Sequence, residues 1–450
     1  MGYGVKDSIS PLDGRYSSDI EELLPFFSEK ALIRYRIMIE VEYLIALSEE
    51  KSFSGLSKFT KKQKTDYRKI YLNFNTGSAN KVKKIEQKTN HDVKAVEYYI
   101  RDKVNKSIHP WIHFALTSED VNNLSYTLMW KDALDKIFLP QLRSLLKELR
   151  VLSNKYADSA MLSLTHGQPA TPTTFGKEIH VFVKRIERQL KGIDSHKLLG
   201  KFGGATGTWS THVIAYPKVN WLRFAKNYIK SLKLEPNLVT TQVEPHDSIA
   251  ESYHQIIRIN SILTDLSKDF WFYISRGILG QKKIKGEVGS SAMPHKINPI
   301  QFENAEGNLG ISNAILHHLA TKLPISRMQR DLSDSTSLRN QGVALGHSFL
   351  AIKNISKGIK RIKVNENQLQ TELDSHWEVL GEAIQTILRK NEKEDAYEKL
   401  KELTRGHSIN QKSLSVFIEN LDIPESDKQK LLSLTPNSYI GLATKLSRLK

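Results

Sequence analysis

The stretch IAESYHQIIRINSILTDLSKDFWFYISRGIL, residues 249–279, repeats apolar side chains at steps of three and four. Such steps bring Ile256, Ile259, Leu263 and Leu266 onto one face of an α-helix. A helix of about 30 residues extends roughly 45 Å. The stretch therefore predicts a long helix that packs against other long helices.

Four other segments show the same apolar period. They are Glu119–Asn154, the run from Ile179 to Ile193, Pro299–Leu323 and about Asp331–Ile362. Alternating patterns typical of strands are scarce, and Asn237–Val243 is the best candidate. Together the five helical segments predict an all-α fold with a central bundle of five long helices. Apolar stripes of that length exceed what one chain covers, so we expect the protein to associate with copies of itself.

Two breaks divide the 450-residue chain. One falls at Ser107–Pro110, and the other lies near Val364–Glu366. We expect three domains: an N-terminal helical domain over 1–112, the long-helix bundle over 113–364, and a C-terminal helical domain over 365–450. A chain of this length easily buries a large core.

The composition excludes several classes of protein. The chain has no cysteine, which rules out disulfides, thiolate nucleophiles and cysteine-ligated metals. No stretch approaches the roughly 18 uninterrupted apolar residues of a membrane helix, and the first residues lack the pattern of a signal peptide. We therefore expect a cytoplasmic protein with no membrane partner.

The chain is basic, with 66 Lys and Arg against 49 Asp and Glu and a formal net charge of +17. The basic clusters, such as the one within Lys61–Lys69, are interleaved with acids at helical spacing, a pattern that favours solvated helix faces. None carries the aromatic residues of a single-strand binder or a known nucleic-acid-binding module. We expect no nucleic-acid partner, whereas an anionic small-molecule substrate would suit the charge.

Two features resemble cofactor sites without meeting their requirements. Gly200–Gly207 matches neither phosphate-loop pattern and follows a helix rather than a strand, so we expect a tight connection between helices. His317 and His318 are adjacent, so on a helix they point about 100° apart and cannot share a metal ion. The sequence contains no HExxH motif. We expect neither a metal nor a nucleotide cofactor.

Two polar segments interrupt the helical pattern with candidate catalytic groups. Thr165–Pro172 contains His166, whose imidazole is either a satisfied structural group or a general acid or base, and the residues alone leave both open. Gly286–Asn298 combines glycines, paired hydroxyls, Lys296 and Asn298 between two long helices. This composition is typical of a loop that closes over a substrate, although an exposed linker with ordinary turn residues would look similar.

Further polar segments lie at predicted helix starts. In Arg327–Arg339, Arg330 and Arg339 bracket four hydroxyl residues where free backbone N–H groups favour an anion. Ser333 or Ser335 could equally be a plain N-cap, and both interpretations can hold together. Thr89–Asp92 and Thr117–Asp120 fit the S/T-x-x-D/E capping box, and taken alone they indicate helix starts.

The combination of these segments resembles the adenylosuccinate lyase family of the fumarase/aspartase superfamily. GSSAMPHKIN, residues 289–298, is similar to the superfamily's signature loop. The segments that narrow the resemblance are SPLDGRY (10–16), TNHDVK (89–94), TSEDVNN (117–123), THGQPA (165–170), RDLSDS (330–335) and YEKLKELTRG (397–406). Each is short, but the set extends the likeness from about Ser8 to the end of the chain.

The resemblance implies an all-helical subunit of three domains whose central bundle joins three others in a homotetramer. Each active site would be assembled from three different subunits. The implied reaction eliminates fumarate from adenylosuccinate to give AMP, and from SAICAR, a succinylated aminoimidazole carboxamide ribotide, to give AICAR in purine nucleotide biosynthesis. The family needs no cofactor or metal.

The resemblance also assigns roles to residues. Ser290 is the expected base that removes a carbon proton, and His166 the expected acid that protonates the departing nitrogen. Lys296 and loop amides would stabilise the Ser290 alkoxide, Lys296 and Asn298 the carbanion. Glu303 would orient His166. The remaining expected substrate-binding residues are Arg15, Tyr16, Arg330, Ser335 and Arg339 at the phosphate and sugar end, and Asn90, His91, Asp92, Thr117, Ser118, Gln242 and Asn304 at the succinyl and base regions.

Two alternatives stay open on the sequence alone. A sister lyase such as argininosuccinate lyase or fumarase needs no phosphate pocket, so Arg15, Arg330 and Arg339 would have no anion to bind. A non-catalytic basic helical protein that binds nucleic acid predicts salt-sensitive polynucleotide binding that survives loss of Ser290 and His166.

Overall fold

The computed structural model describes residues 7–282, 297–393, 398 and 409–449. Its helical content is 66%, which confirms the helical fold class predicted from the sequence. Ser290, Lys296 and all of the Tyr397–Gly406 run except Glu398 lie outside the described residues. Among the described helices, none combines the length and apolar character needed to cross a membrane.

Helices form the frame of the described chain. In chain order they are α1 (Leu24–Phe27), α2 (Glu29–Glu49), α3 (Lys61–Leu72), α4 (Thr76–Thr89), α5 (Asp92–Arg101), α6 (Ser118–Ala133), α7 (Leu139–Lys155), α8 (Phe175–Ser195), α9 (Ser210–Ala215), α10 (Trp221–Ser231), α11 (Asp247–Ser275), α12 (Ile300–Lys322), α13 (Ser333–Leu338), α14 (Gln341–Arg361), α15 (Glu366–Asp374), α16 (Gly381–Lys390), α17 (Gln411–Glu419), α18 (Glu425–Leu432) and α19 (Ala443–Ser447). Short 3₁₀ turns lie at Ser17–Asp19, Glu21–Leu23, Lys106–Trp111 and Trp377–Leu380, and a π turn, Leu134–Phe138, joins α6 to α7.

The long helices predicted from apolar periodicity are present. The first runs through α6, the π turn and α7, and the next three are α8, α11 and α12. The prediction of one helix over Asp331–Ile362 is wrong at its start, because the chain forms the short α13 and turns before α14 begins. The side-chain amide of Asn340 donates to the carbonyl of Thr336 at 3.2 Å, satisfying a terminal carbonyl of α13.

Strands in the described chain are short. β1 (Ala160–Thr165) and β2 (Gln168–Thr174) form an antiparallel hairpin, β3 (Leu199–Gly200) pairs in parallel with β4 (Glu235–Pro236), and β5 (Leu279–Gln281) pairs antiparallel with β6 (Ile362–Val364). The predicted strand Asn237–Val243 is wrong. The N–H of Gln242 donates to the carbonyl of Gln329 at 3.3 Å, within an irregular segment. An alternating pattern becomes a strand only where a partner strand lies in register.

The chain divides into two compact units, each built from separate stretches. The first unit comprises 1–142, 189–261 and 307–353, and the second comprises 143–188, 262–306 and 354–450. The three-domain division expected from the sequence stays a prediction.

The first unit has an apolar core built from its N-terminal helices. Ile37 and Val41 of α2 pack with Val96 and Ile100 of α5, and all four are at most 1% exposed. Burying an aliphatic side chain of this size contributes about 1.5–3 kcal/mol. This core holds α5, whose first residues are expected site residues.

The second unit has its own core. Phe270 stacks on Phe302 with ring centroids 5.0 Å apart. Gly358 lets α14 approach α12 closely, because a Cβ there would lie 2.7 Å from the Phe302 ring. Leu380, Ile384, Leu414 and Ile418 form a further cluster that joins α16 to α17.

Gly200–Gly207 connects two helices, as predicted, although it begins in strand β3 rather than directly after a helix. The connection binds a carboxylate of the chain itself. The backbone N–H groups of Gly203 and Gly204 each donate to Asp120 at 3.0 Å. Lys201 reaches the same carboxylate at 2.7 Å, and both charged side chains are at most 1% exposed. Taking two charges out of water is costly, and the cost is offset only while every donor is in place.

We expect Asp120→Asn to lower the free energy of unfolding by about 3–5 kcal/mol, because it leaves the Lys201 ammonium buried without a counter-charge. Urea denaturation followed by circular dichroism measures the change. The matched control, Asp66→Asn, removes an exposed ion pair with Lys69 on α3, and its urea midpoint should stay at that of the parent protein. Equal shifts in the two variants would contradict the importance of the buried pair.

Candidate active site

His166 lies at the tip of the β1–β2 hairpin in the second unit. Thr165 pairs with Gln168, so His166 and Gly167 form a two-residue turn. Their φ angles are 52° and 74°, and positive φ at both central positions defines a type I′ hairpin turn. Gly167 supplies the second position without strain. The tight turn holds the imidazole at a fixed end of a short hairpin.

The sequence left two interpretations of His166 open, a structural group or a general acid or base, and its surroundings bear on both. A structural histidine is buried and hydrogen-bonded. The His166 side chain is exposed, and no hydrogen bond joins it to another residue in the described part of the chain. Its geometry is therefore that of a group presented to something outside its own hairpin.

The polar loop predicted to close over a substrate falls mostly outside the described residues, and with it Ser290 and Lys296. Its described end is anchored, because the side-chain amide of Gln281 donates to the carbonyl of Ile297 at 2.9 Å. Asn298 follows directly and is half-buried. This contact fixes the loop end that precedes α12.

Two expected site residues lie near the start of α12, also in the second unit. The Glu303 carboxylate accepts from the indole N–H of Trp271 at 3.0 Å, so within this chain Trp271 is its partner. The orientation of His166 by Glu303 stays a prediction. Asn304 accepts from the side-chain amide of Asn354 at 2.8 Å, which fixes its oxygen and directs its own N–H groups elsewhere.

The junction of α4 and α5 carries three expected residues in the first unit. Asn90 ends α4 in the left-handed region at φ 49°. His91 is the N-cap of α5, since its Nδ1 accepts from the N–H of Lys94 at 3.1 Å. The predicted cap at Thr89 is wrong, because Thr89 is still the last residue of α4. Nδ1 is thus committed to the helix, and Nε2 is the ring atom left for a ligand.

Asp92 joins a buried arginine to an expected phosphate-binding arginine. Its carboxylate lies 2.7 Å from Arg36 and 3.7 Å from Arg339. Burial raises the pKa of Asp92, but Arg36, the N–H of Val93 and Arg339 together outweigh burial and hold that pKa below its usual value. Arg36 is 1% exposed and also donates to Asn122 at 2.9 Å. No sequence pattern pointed to Arg36, which lies inside a mostly apolar helix.

The start of α6 brings a second group of expected residues together. Thr117 and Asp120 form the predicted capping box, in which the N–H of Thr117 donates to Asp120 at 2.9 Å. Ser118 is the first residue of the helix. The next residue, Glu119, contacts Arg330 at 2.6 Å. Glu119 was not singled out in the sequence, although it lies inside the TSEDVNN segment.

Gln242 and Ser335 adjoin this group. The side-chain amide of Gln242 donates to the carbonyl of Ala205 at 2.8 Å, and its backbone pairs with Gln329, beside Arg330. The N–H of Ser335 donates to Asp334 at 2.6 Å.

Neither predicted serine cap forms at the start of α13. Ser333 and Ser335 lie inside the helix, and Leu332 precedes it without a side-chain cap. Asp331 instead accepts from the N–H and the hydroxyl of Ser333, because a carboxylate is a stronger acceptor than a hydroxyl.

Arg15 and Tyr16 lie in the N-terminal part of the first unit. The Arg15 guanidinium is 5.9 Å from the centre of the Tyr16 ring. Near them a groove of about 350 Å³ is lined by Asp13, Phe27 and Arg339, among other residues. The first unit thus presents Arg15, Arg330 and Arg339, three guanidinium groups suited to an anion.

One group of side chains in the described chain has spacing that a metal ion would allow. Atoms of Glu119, His246 and Asp334 lie within 4.8 Å of one another. Arg330 is 2.6 Å from Glu119 and 3.9 Å from Asp334. The guanidinium already supplies positive charge to both carboxylates, so the geometry is that of an ion-pair network rather than a metal centre.

Two protein-family models match the chain. A lyase model matches residues 14–313, and a model described as adenylosuccinate lyase C-terminal matches residues 326–440. Among curated proteins, adenylosuccinate lyase of Legionella pneumophila (strain Corby) is 49% identical, with 98% of each chain covered. The enzymes of Haemophilus influenzae and Escherichia coli (strain K12) are 45% and 46% identical, covering 99% and 97% of each chain.

Solved structures show the same fold at lower identity. Fumarate lyase from Mesorhizobium sp. BNC1 gives a TM-score of 0.76 at 16% identity, covering 95% of this chain and 96% of its own. The 3-carboxy-cis,cis-muconate lactonizing enzyme from Pseudomonas putida gives 0.74 at 18% identity, covering 95% of each chain. The family models span most of the sequence and the curated relatives span nearly all of it, so this chain belongs to the adenylosuccinate lyase family of the fumarase/aspartase superfamily.

Proposed function

We propose that the protein is a cytoplasmic lyase of purine nucleotide biosynthesis that eliminates fumarate from adenylosuccinate to give AMP, and from SAICAR to give AICAR. In each substrate a C–N bond lies beside a carboxylate-bearing carbon. A base removes the proton from that carbon, the electron pair forms the C=C bond of fumarate, and an acid protonates the departing nitrogen. Protein groups supply both proton transfers.

The two proton transfers are assigned by the family resemblance. Ser290 takes the carbon proton, and Lys296 with loop amides stabilises its alkoxide. Charge that develops on the substrate carboxylate is stabilised by Lys296 and Asn298. His166 protonates the nitrogen, and its exposure at a rigid hairpin tip supports this assignment. Glu303 orients His166 in the assembled enzyme.

The observation that carries the proposal is the pair of arginines in the first unit, each paired with a carboxylate. Glu119 contacts Arg330 at 2.6 Å, and Glu29 lies 3.3 Å from Arg339. A sister lyase acting on a substrate without phosphate has no use for these cations. With Arg15, Tyr16 and Ser335, the arginines bind the phosphate and sugar end of the substrate.

The succinyl and base regions of the substrate contact residues at the helix starts. Nε2 of His91 is the ring atom that remains for the substrate, because Nδ1 caps α5. The residues that line these regions are Asn90, His91, Asp92, Thr117, Ser118, Gln242 and Asn304. Hydroxyl, amide and imidazole groups of this kind recognise carboxylates and ring nitrogens by hydrogen bonding.

We also propose that the protein acts as a homotetramer in which three subunits contribute to each active site. Exposed apolar side chains on the long helices support the assembly: Phe272, Ile300 and Ile311 are 57%, 56% and 48% exposed in the single chain. Large apolar side chains repeated along helix faces are typical of a subunit interface. An imidazole exposed on its own subunit is free to act on substrate held by another.

The decisive experiment incubates the purified protein with adenylosuccinate and measures AMP and fumarate. We expect the two products in equal amounts, and AICAR with fumarate from SAICAR. A folded tetramer that releases no product from either nucleotide would contradict the proposal. Turnover of argininosuccinate or malate in its place would favour a sister lyase.

We expect Ser290→Ala and His166→Ala each to abolish turnover, because each removes one of the two proton transfers. Size-exclusion chromatography should show an unchanged tetramer. Mixing the two inactive variants under conditions that exchange subunits should partly restore fumarate release, since some sites then combine an intact Ser290 with an intact His166. Wild-type turnover in either variant would refute the role assigned to that residue, and mixtures that stay inactive would refute shared sites.

Gly167→Ala tests the hairpin turn. A Cβ at this position meets no atom within 4 Å, so the only penalty is backbone strain at φ 74°, roughly 1 kcal/mol. Relief of that strain rotates the turn, and we expect kcat to fall at least about tenfold because a small misplacement of a catalytic group is costly. Gly441→Ala is the matched control, with φ 53° and equally open surroundings. It should keep wild-type kcat, and an equal loss in both variants would show that His166 placement is not the cause.

A further inference from the structure

A buried cluster of Glu119, His246 and Asp334 lies behind Arg330 in the first unit. The three side chains are 2%, 5% and 6% exposed. They come from α6, from the segment before α11 and from α13, yet their polar atoms lie within 4.8 Å of one another. The mechanism proposed above uses none of the three.

The cluster is short of hydrogen-bond donors. One carboxylate oxygen of Glu119 and one of Asp334 are buried without a hydrogen-bond partner in the described chain. The His246 ring approaches the backbone carbonyl of Leu323, but neither ring nitrogen makes a hydrogen bond of good geometry there. Arg330 satisfies the other Glu119 oxygen at 2.6 Å and is 3.9 Å from Asp334. Unpaired buried acceptors are costly, and a proton added to the cluster converts one acceptor into a donor.

The charges that act on the cluster come from several neighbouring segments. They are Arg330 and Lys201, which act on Glu119, Lys322 and Asp247, which act on His246, and Asp331, which acts on Asp334. Lys201 is committed to Asp120 at 2.7 Å. Two carboxylates against the one guanidinium in direct contact leave a net negative charge in a buried place, which a single proton neutralises.

The directions of the pKa shifts agree with this excess of negative charge. Burial raises the pKa of Glu119 to about 7, against the opposing effect of Arg330. Burial also raises the pKa of Asp334. Burial lowers the pKa of His246 to about 4, so its imidazole is neutral near pH 7. The carboxyl of Glu119 is therefore the group that changes its charge around neutral pH.

We propose that the cluster of Glu119, Asp334 and His246 takes up one proton when Arg330 binds the substrate phosphate. The three residues share this proton and act as positioning residues for Arg330. The inference rests on the proposed function, because it takes Arg330 as a phosphate ligand. When Glu119 is ionised, its carboxylate engages the guanidinium and opposes an arriving anion. When Glu119 is protonated, Arg330 keeps its full charge for the phosphate.

The way in which substrate affinity changes with pH follows from the charge of Glu119. An anion bound beside Glu119 disfavours the ionised carboxylate, so the pKa of Glu119 is higher in the complex than in the free enzyme. Substrate therefore binds best below the free-enzyme pKa of about 7, and affinity falls as pH rises above it. The fraction of free enzyme in which Glu119 is protonated falls from about one half at pH 7 to about one tenth at pH 8. Only this fraction binds substrate well, so KM should rise about fivefold over that pH unit.

The test compares KM and kcat of the wild type, Glu119→Gln and Glu29→Gln between pH 6.5 and 8.5. Glutamine mimics protonated Glu119, so that variant should lose the fivefold rise in KM, while the pH profile of kcat stays that of the wild type. Glu29→Gln removes an exposed carboxylate from Arg339 and should keep the rise. A purely structural role for Glu119 would not flatten the KM profile alone. An undiminished rise in Glu119→Gln would overturn the proposal.

Calorimetry keeps the proposal testable if a variant fails to fold. AMP is titrated into the wild-type enzyme at pH 8 in two buffers of different ionisation enthalpy. The AMP phosphate, whose second pKa is near 6, is already fully ionised, so the expected uptake of almost one proton comes from the enzyme. Uptake near zero would overturn the proposal, as would one equivalent of tightly bound metal in the purified protein, because a cation would replace the proton.

The two proposals fail in distinguishable ways. Absence of product from adenylosuccinate and SAICAR counts against the proposed function. Normal turnover with a KM that does not respond to pH above 7, or with no proton uptake on AMP binding, counts against the shared proton alone.

Discussion

The ion pair and hydrogen bonds of the buried Asp120 carboxylate are the interactions on which the expected substrate-binding residues of the first unit depend. The carboxylate accepts from Thr117, Gly203 and Gly204 and pairs with Lys201. These donors fix the first turn of α6 against the glycine-rich connection. Because the helix is rigid from there on, Ser118 at its start and Asn122 one turn later acquire defined positions.

The positions of Arg330 and Arg36 both depend on that fixed helix. Glu119 follows Ser118 and holds Arg330. Asn122 holds Arg36, and Arg36 orients Asp92 toward Arg339. Each guanidinium is thus held by a carboxylate or amide partner, so a flexible side chain takes a defined position. The net charge of +17 supplies long-range attraction for an anionic substrate, whereas these local partners supply geometry.

Sequence patterns predicted the elements whose signal is local and missed those that depend on contacts with distant segments. Apolar periodicity located the long helices, since a helix buries its stripe whatever it packs against. It failed at Asn237–Val243, where tertiary hydrogen bonds took the backbone, and it missed the β1–β2 hairpin, whose second strand contains Pro169 and Pro172. Proline lacks an N–H donor, so that strand does not have a typical strand composition.

The site residues divide in the same way. Loop residues such as His166 and Arg330 were expected in the site because short polar motifs interrupt a helical pattern, and their roles stay predictions. Arg36 and His246 were missed, because a buried polar residue inside an apolar helix, or beside one, becomes visible only when its partners from distant segments are known. Thr89 looked like a cap until the structure showed α4 continuing through it and His91 taking that role.

Three histidines show how the fold assigns different chemistry to one side chain. Burial lowers the pKa of His246 and keeps its imidazole neutral, although Glu119 and Asp334 lie beside it. His91 has one ring nitrogen committed to a helix N-terminus, which fixes its tautomer and leaves one atom for recognition. His166 has neither burial nor a partner in its own described chain, and a rigid turn holds it outward. Of the three, His166 is the one exposed without a hydrogen bond within the described chain, a placement consistent with the general-acid role proposed for it.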